Sequence, residues 1–184
     1  MKKIFWIIFT VIIAAFVAGN ISLRAKEKKN APVEQYIEDA FITVTAPPML
    51  VNEKSANTTK EKLQNKIVSL AFYQSSYKKA DYTVIYAKYL DEVDFEKGIQ
   101  SVINAFKNDG FIYETKENEV SGNKGAYIEG TFERKGVKYG IKEQLIKQKT
   151  NFWQLLTVYP YSKKNADFAD KFIQSAVLDE IKSK

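Results

Sequence analysis

The chain of 184 residues contains no histidine and no cysteine. Without these two residue types, neither a Ser-His-Asp triad nor a Cys-His nucleophile can be built. Zinc and copper sites that depend on imidazole or thiolate ligands are excluded as well. Disulfides are absent, so the folded domain depends on its core for stability. We therefore predict no catalytic residue, no metal ligand and no cofactor.

A basic block of the kind that binds nucleic acid is also missing. Lysine and arginine number 28 against 22 acidic residues, a formal net charge of +6, but the basic residues are dispersed among the acids. This pattern argues against nucleic-acid binding and fits attraction to an anionic membrane or an acidic partner better. The 12 phenylalanines and 11 tyrosines supply bulky side chains for both a core and a surface.

A long apolar run does occur, at residues 4–19, directly after Lys2 and Lys3. A basic start before such a run is typical of a signal peptide or a membrane anchor. Small residues permit cleavage before Asn20, whereas extension to Leu23 approaches the roughly 20 residues that span a bilayer. A buried core helix is the alternative, and the apolar character all round the run argues against it. The sequence thus predicts export, either to a periplasmic or extracytoplasmic location or with an anchor in the inner (cytoplasmic) membrane.

The rest of the chain divides into a linker and one domain. Residues 20–35 are charged and poor in apolar side chains, which is typical of a tether. Residues 36–184 are predicted to form a single domain, with strands near 41–45, 68–73, 82–89 and 152–159. An amphipathic pattern predicts one helix over 91–109, with Asp91 as its N-cap and Gly110 after its end. A second helix is predicted over 166–181, capped by Ser162 or Asn165.

The most specific local prediction is a hairpin over residues 127–144. A two-residue turn at Lys135 and Gly136 places Phe132 opposite Tyr139 on one face. On the other face the same register pairs acids with lysines: Glu133 with Lys138, and Glu129 with Lys142. It also places Glu143 opposite Ile128 on the apolar face. Such an acid either emerges at a sheet edge or marks a pocket.

The order of elements resembles the PsbP-like superfamily. A hydrophobic strand that ends in proline opens the domain, and an aromatic strand followed by the phenylalanine-containing helix near residues 165–177 closes it. The likeness covers roughly residues 36–182 and includes the DcrB-type bacterial envelope proteins. It implies an α+β fold in which helices flank a central antiparallel sheet (an α/β/α sandwich), here preceded by an N-terminal hydrophobic helix. It also implies a non-catalytic role in docking to another protein.

Three functions are weighed. The favoured one is an exported or membrane-anchored, non-catalytic domain that docks to an envelope protein, with residues 4–19 holding the membrane if they are not cleaved. The alternatives are a small-ligand carrier with a pocket between sheet and helix, and a carboxylate-only hydrolase that would use Glu129 or Glu133 with Glu143. Tyrosine is favoured at interfaces, so the candidate binding residues are Tyr77, Lys78, Lys79, Tyr82 and Glu143.

Overall fold

The computed structural model describes residues 31–51, 66–92, 94–108 and 110–179. Within them lie ten strands, two α-helices and a short 3-10 helix (Glu38–Ala40). The strands are β1 (Val33–Ile37), β2 (Ile42–Ala46), β3 (Leu50–Val51), β4 (Ile67–Tyr77), β5 (Ala80–Tyr89), β6 (Ile112–Val120), β7 (Asn123–Arg134), β8 (Val137–Gln148), β9 (Asn151–Pro160) and β10 (Val177–Leu178). The helices are α1 (Phe95–Asn108) and α2 (Lys163–Gln174).

Seven strands form a large antiparallel sheet, the central sheet, in the order β3-β4-β5-β9-β8-β7-β6. β9 is its middle strand and is buried from Asn151 to Tyr159. Its continuous apolar sequence agrees with this position, because a strand covered on both faces has no solvent side. The prediction of a fully buried strand over 152–159 is confirmed.

The hairpin of β7 and β8 has the predicted register. Phe132 pairs with Tyr139, and their rings stack with centroids 5.3 Å apart. Glu133 pairs with Lys138, and Glu129 with Lys142. The turn residues Lys135 and Gly136 both have positive φ, 51° and 73°. This left-handed turn matches the twist of the two strands, and a slip by one residue would reverse both faces.

A small three-stranded sheet, in the order β1-β2-β10, accompanies the central sheet. β1 begins at Val33, inside the segment predicted as a linker and three residues before the predicted start of the domain. β10 pairs with β2 through Val177 and Leu178, within the range predicted as helix. That helix prediction is wrong beyond Gln174, because pairing with β2, a contact distant in the sequence, decides the conformation of residues 177–178.

Strand alternation divides the central sheet into two faces. The α1 face packs against α1, whose Phe95, Val102 and Phe106 are buried against it. The α2 face packs against α2 and the small sheet, with Phe172 and Ile173 of the helix buried. Burying each such side chain contributes roughly 1.5–3 kcal/mol. Both layers of contacts hold the sheet against the elements that cover it, and they position the site described below.

The two helices begin and end at recognisable signals. In α1, the backbone N–H of Lys97 donates to Asp94 Oδ1 at 3.2 Å, so the cap lies three residues later than the predicted Asp91. Gly110, with φ of 72°, follows the helix as predicted, and the N–H of Phe111 returns to the carbonyl of Phe106. In α2, Ser162 Oγ accepts from the N–H of Asn165, which confirms Ser162 as the cap.

The predicted α+β fold class, an α/β/α sandwich, is wrong. The described residues are mostly β, with two antiparallel sheets and two α-helices, and a second sheet shares one face of the central sheet with a helix. Two segments account for much of the difference: β1 was read as linker, and β6 was not predicted. The predicted N-terminal hydrophobic helix lies outside the described residues.

Candidate functional site

A groove with a volume of about 340 Å³ opens on the α2 face of the central sheet. Strands β6, β7 and β8 form its floor, and the end of β9 and the start of α2 form its wall. Two large side chains at its rim are well exposed, Ile112 by 79% and Tyr161 by 54%. Lys138 Nζ lies 4.5 Å from the centroid of the Tyr161 ring. Its volume falls in the range of small-molecule pockets. We call it the β6–α2 groove.

The floor of the groove holds a buried cation. Lys142 of β8 is only 7% exposed, and its Nζ donates to Asp170 of α2. Glu129 Oε2 on β7 lies 3.7 Å from the same Nζ and accepts the hydroxyl of Tyr127 at 2.9 Å. Burial of an ammonium group is costly unless carboxylates surround it, and here two do. The cluster also fastens α2 to the sheet beside the groove.

Tyr159 forms part of the wall and is nearly buried. Its ring covers Gly140 on the neighbouring strand, where a Cβ atom would lie 2.4 Å from Tyr159 Cζ. Only glycine leaves room for this approach. Burial, and then the charges of Asp170 and Glu129, raise the pKa of the Tyr159 phenol. The phenol therefore stays protonated and remains a hydrogen-bond donor at neutral pH.

Two like charges lie side by side on the groove floor. Glu114 of β6 pairs directly with Glu129 of β7, and both face the groove. Like charges at directly opposed positions destabilise a sheet. Lys142 lies on the strand at the other side of Glu129, but the carboxylate of Asp170 already balances the charge of Lys142. Among the described residues no ion pair includes Glu114, so Glu114 and Glu129 make this end of the groove acidic, with Lys116 two residues further along the same face of β6.

The α1 face presents a different acid. Glu143 is completely buried, and its Oε1 accepts from Gln154 Nε2 at 2.7 Å. Its Oε2 has no hydrogen-bond partner among the residues that the structure describes. Burial raises the pKa of the Glu143 carboxyl to about 8, with the Gln154 hydrogen bond opposing the shift. The carboxyl is therefore neutral below that pH. The interpretation of Glu143 as a residue that emerges at a sheet edge is wrong, because β8 is an interior strand between β9 and β7.

The structure does not bring the five predicted binding residues together. Tyr77, Lys78, Lys79 and Tyr82 belong to the β4–β5 hairpin, whereas Glu143 lies under α1. Tyr82 is 2% exposed and packs edge-on against Phe172, with ring centroids 5.3 Å apart. Burial raises its pKa to about 12. Tyr77 is partly buried, and the two lysines are exposed at the turn.

Sequence reasoning did not select the groove residues Glu114, Lys142 and Tyr161. One available signal was the predicted register, which already placed Glu129 beside Lys142. The missing information was the pairing of β6 with β7, which brings Glu114 next to Glu129. Asp170 reaches Lys142 only through the packing of α2, and the sequence pattern does not encode that contact directly.

The described part of the chain contains no group of three or more acidic side chains arranged to hold a metal ion. Within the same residues, no helix has the length and apolar character required to cross a bilayer.

No known protein family matches the sequence, and no curated protein matches it. Among solved structures, the chain is similar to LpqN of Mycobacterium tuberculosis, described as involved in cell envelope biogenesis. The TM-score is 0.53 at 12% sequence identity, covering 83% of this chain and 87% of LpqN. At such low identity the likeness concerns the fold. The chain thus has a mostly β, two-sheet fold similar to that of LpqN.

Two further structures match more distantly. A protein from Bacteroides thetaiotaomicron gives a TM-score of 0.47 at 9% identity, covering 84% of this chain and 50% of its own. A Pseudomonas aeruginosa protein of unknown function gives 0.41 at 8% identity, covering 76% and 90%. Neither likeness is close enough to support an argument.

Proposed function

We propose that this chain is an exported, non-catalytic domain of the cell envelope that docks to a protein partner through the β6–α2 groove. The predicted export segment at residues 4–19 supports this location, and so does the fold shared with LpqN, a protein of envelope biogenesis. If residues 4–19 are not cleaved, they hold the domain at the inner membrane.

The observation that carries the docking proposal is the pair Glu114 and Glu129 on the groove floor. Glu129 serves the fold through its contact with Lys142, but the fold gains nothing from a second carboxylate, Glu114, placed directly opposite it. Departures from local rules of stability are expected at functional sites. A lysine or arginine side chain of a partner would relieve the repulsion. The apolar rim, Ile112 and Tyr161, would contact the side chains next to that cation. The proposed occupant is therefore an extended protein segment with one basic side chain between apolar ones.

A small cationic ligand is a second candidate, because the groove lies between sheet and helix and has a pocket-sized volume. The hydrolase alternative loses its proposed acid pairs. Glu129 and Glu133 face the α2 side of the sheet, whereas Glu143 faces α1. A carboxylate pair must flank one bond from a shared cleft, and these residues share none.

Site-specific photo-crosslinking tests the docking proposal. A photoreactive amino acid replaces Ile112 in the full-length protein, and Leu90, exposed by 62% elsewhere on the surface, carries it in the control. We expect one dominant protein adduct from position 112, lost when Glu114→Lys is added, and none from position 90. Equal adducts at both positions would refute the groove as the docking site. A small-molecule adduct at position 112 would favour the carrier.

The charge argument has its own test. Glu114→Gln should weaken the crosslink at position 112 and also stabilise the free domain by about 0.2–1 kcal/mol, because it removes the repulsion with Glu129. Glu117→Gln is the matched control, since Glu117 is exposed on the same strand, faces the other side and pairs with Ala126. A loss of stability in Glu114→Gln would contradict the proposal.

A further inference from the structure

The turn between β4 and β5 forms a basic, aromatic cluster with helix α2. Lys78 Nζ lies 4.8 Å from the ring centroid of Tyr77 and 5.0 Å from that of Phe168. Lys171 Nζ lies 6.0 Å from the same Phe168 ring. The two rings meet edge-on at 5.8 Å. We call Tyr77, Lys78, Lys79, Phe168 and Lys171 the basic tip.

The backbone of this turn departs from the pattern of its neighbours. Lys78 and Lys79 both have positive φ, 50° and 63°. In the β6–β7 and β7–β8 turns, the second position with positive φ is glycine: Gly122 and Gly136. Glycine adopts this conformation without the steric penalty that a Cβ atom causes. The β4–β5 turn thus has a lysine, Lys79, at the position that glycine occupies in the other two turns.

The side chains beside the tip do not cancel its charge entirely. Asp81 accepts a hydrogen bond from Ser76 Oγ at 2.5 Å, and Asp167 is an exposed neighbour of Phe168. Against these two acids stand Lys78, Lys79 and Lys171, all exposed. The ammonium groups of Lys78 and Lys171 lie over the aromatic rings of the tip, and Lys79 is exposed beside them. Amphipathic lysines and aromatic rings with one apolar side are the side chains that suit the boundary between a membrane and water.

We infer that the basic tip binds the anionic headgroups of a lipid bilayer. The lysines contact lipid phosphates, and Tyr77 and Phe168 lie against the headgroup boundary. This inference goes beyond docking at the groove, and it rests on the proposed envelope location. It assigns the two charged surfaces different ligands: the acidic β6–α2 groove a cationic protein segment, and the basic tip an anionic membrane. Helix α2 contributes to both, through Ala166 to the groove and Phe168 to the tip.

The absence of cysteine makes a direct test possible, because one introduced cysteine takes up a fluorophore at a single position. Asp167→Cys reports on the tip, and Lys149→Cys, in the exposed β8–β9 turn at the other end of the sheet, is the control. Full-length protein is reconstituted into phosphatidylcholine vesicles with and without phosphatidylglycerol. We expect an apolar emission shift at position 167 only with phosphatidylglycerol, reversed by high salt. An equal shift at position 149, or none at 167, would overturn the inference.

Variants of the tip complete the test. Each lysine near an anionic surface changes such an equilibrium by about fivefold, so Lys78→Gln, Lys79→Gln and Lys171→Gln together should lower the docked-to-undocked ratio by about a hundredfold. Lys79→Gly alone should lower it about fivefold. Unchanged docking in the triple variant would refute the inference. Because these vesicles hold no partner protein, failure here is separate from failure of the groove.

Discussion

The two faces of the central sheet treat buried charge in opposite ways, and adjacent residues of β8 show the difference. Lys142 points to the α2 face, where Asp170 and Glu129 contact its ammonium group. Glu143 points to the α1 face, where Gln154 is its one hydrogen-bond partner within the described ranges, in a core that includes the stacked rings of Phe106 and Phe111. Both side chains are almost completely buried. Lys142 stays charged within its ion pairs, whereas the carboxyl of Glu143 becomes neutral.

The difference follows from what covers each face. Helix α2 brings an acid to the sheet and leaves a groove open beside it, so an ion pair forms where water can still reach its carboxylates. Helix α1 brings apolar residues and closes its face, so proton binding is cheaper than ionisation for the carboxyl of Glu143. The α2 face is therefore suited to recognition of charge, and the α1 face to rigidity.

The largest expected effect concerns Glu143. Below about pH 4.5 its carboxyl is protonated in both folded and unfolded chains; between that pH and the folded pKa of about 8, only the unfolded chain releases the proton. Stability from this site is thus full at low pH and falls by about 1.4 kcal/mol per pH unit until pH 8. Glu143→Gln keeps the acceptor for Gln154 and removes the titration. Urea unfolding should show equal stability near pH 4.5 and an advantage for the variant that grows to several kcal/mol at pH 8.

The control for this prediction is Glu129→Gln, on the opposite face. It removes a carboxylate that is partly exposed. The free energy of unfolding of Glu129→Gln should therefore not rise above that of the parent chain as the pH increases. Parallel stability curves for Glu143→Gln and the parent would contradict the picture of a neutral acid on the α1 face.

A smaller effect, and one of opposite sign, is expected from Lys142→Met, which should lower the free energy of unfolding. The substitution leaves Asp170 and Glu129 facing each other without a cation. Removing one partner of a buried ion pair costs about 3–5 kcal/mol, but these carboxylates are 35% and 36% exposed. We therefore expect a loss of about 2–3 kcal/mol in the free energy of unfolding. Lys147→Met is the control: its partner Glu92 is 73% exposed, and the loss should stay below about 1 kcal/mol. Equal losses would show that the Lys142 ion pairs contribute no more to stability than the exposed ion pair of Lys147.

The smallest effect concerns the turn that assigns Lys142 and Glu143 to their faces. Gly136→Val places a β-branched residue at φ of 73°, and we expect a loss of about 1–2 kcal/mol, measured by chemical unfolding. Gly136→Asn should cost less, because asparagine tolerates this conformation. The contact between Phe132 and Tyr139, followed by NMR, should survive in both variants. A cost-free valine would mean that the turn does not define the register.

The β7–β8 hairpin was predictable because its information is local. Apolar pairs on one face and opposite charges on the other permit a single register, and the turn residues agree with it. β6 was not predictable on these grounds: as an edge strand it is exposed along most of its length and carries charges on both faces. Charged edges protect a sheet against further pairing. A strand with charges on both faces also lacks the alternation of apolar and polar residues by which a strand is predicted.

Contacts between segments distant in the sequence account for the other misses. The register put Glu143 opposite Ile128 correctly, yet only the pairing of β8 with β9 shows that the strand is interior. Tyr82 has the same sequence character as an exposed interfacial tyrosine, and the packing of Phe172 of α2 decides its burial. The acidic end of the groove depends likewise on three strands and a helix that no single stretch of sequence encodes.

The small sheet determines when the domain can be completed during synthesis. β2 lies between β1 and β10, and the backbone N–H of Thr45 donates to Ser175 Oγ, 130 residues away, at 2.7 Å. While the chain is still being made, β2 therefore lacks its second neighbour, and its unpaired side remains open to other strands. The small sheet is complete only after residues 177–178, which form β10, have been synthesised. A nascent chain, or one that ends before residue 177, consequently leaves unpaired the edge of β2 that pairs with β10 in the full-length chain.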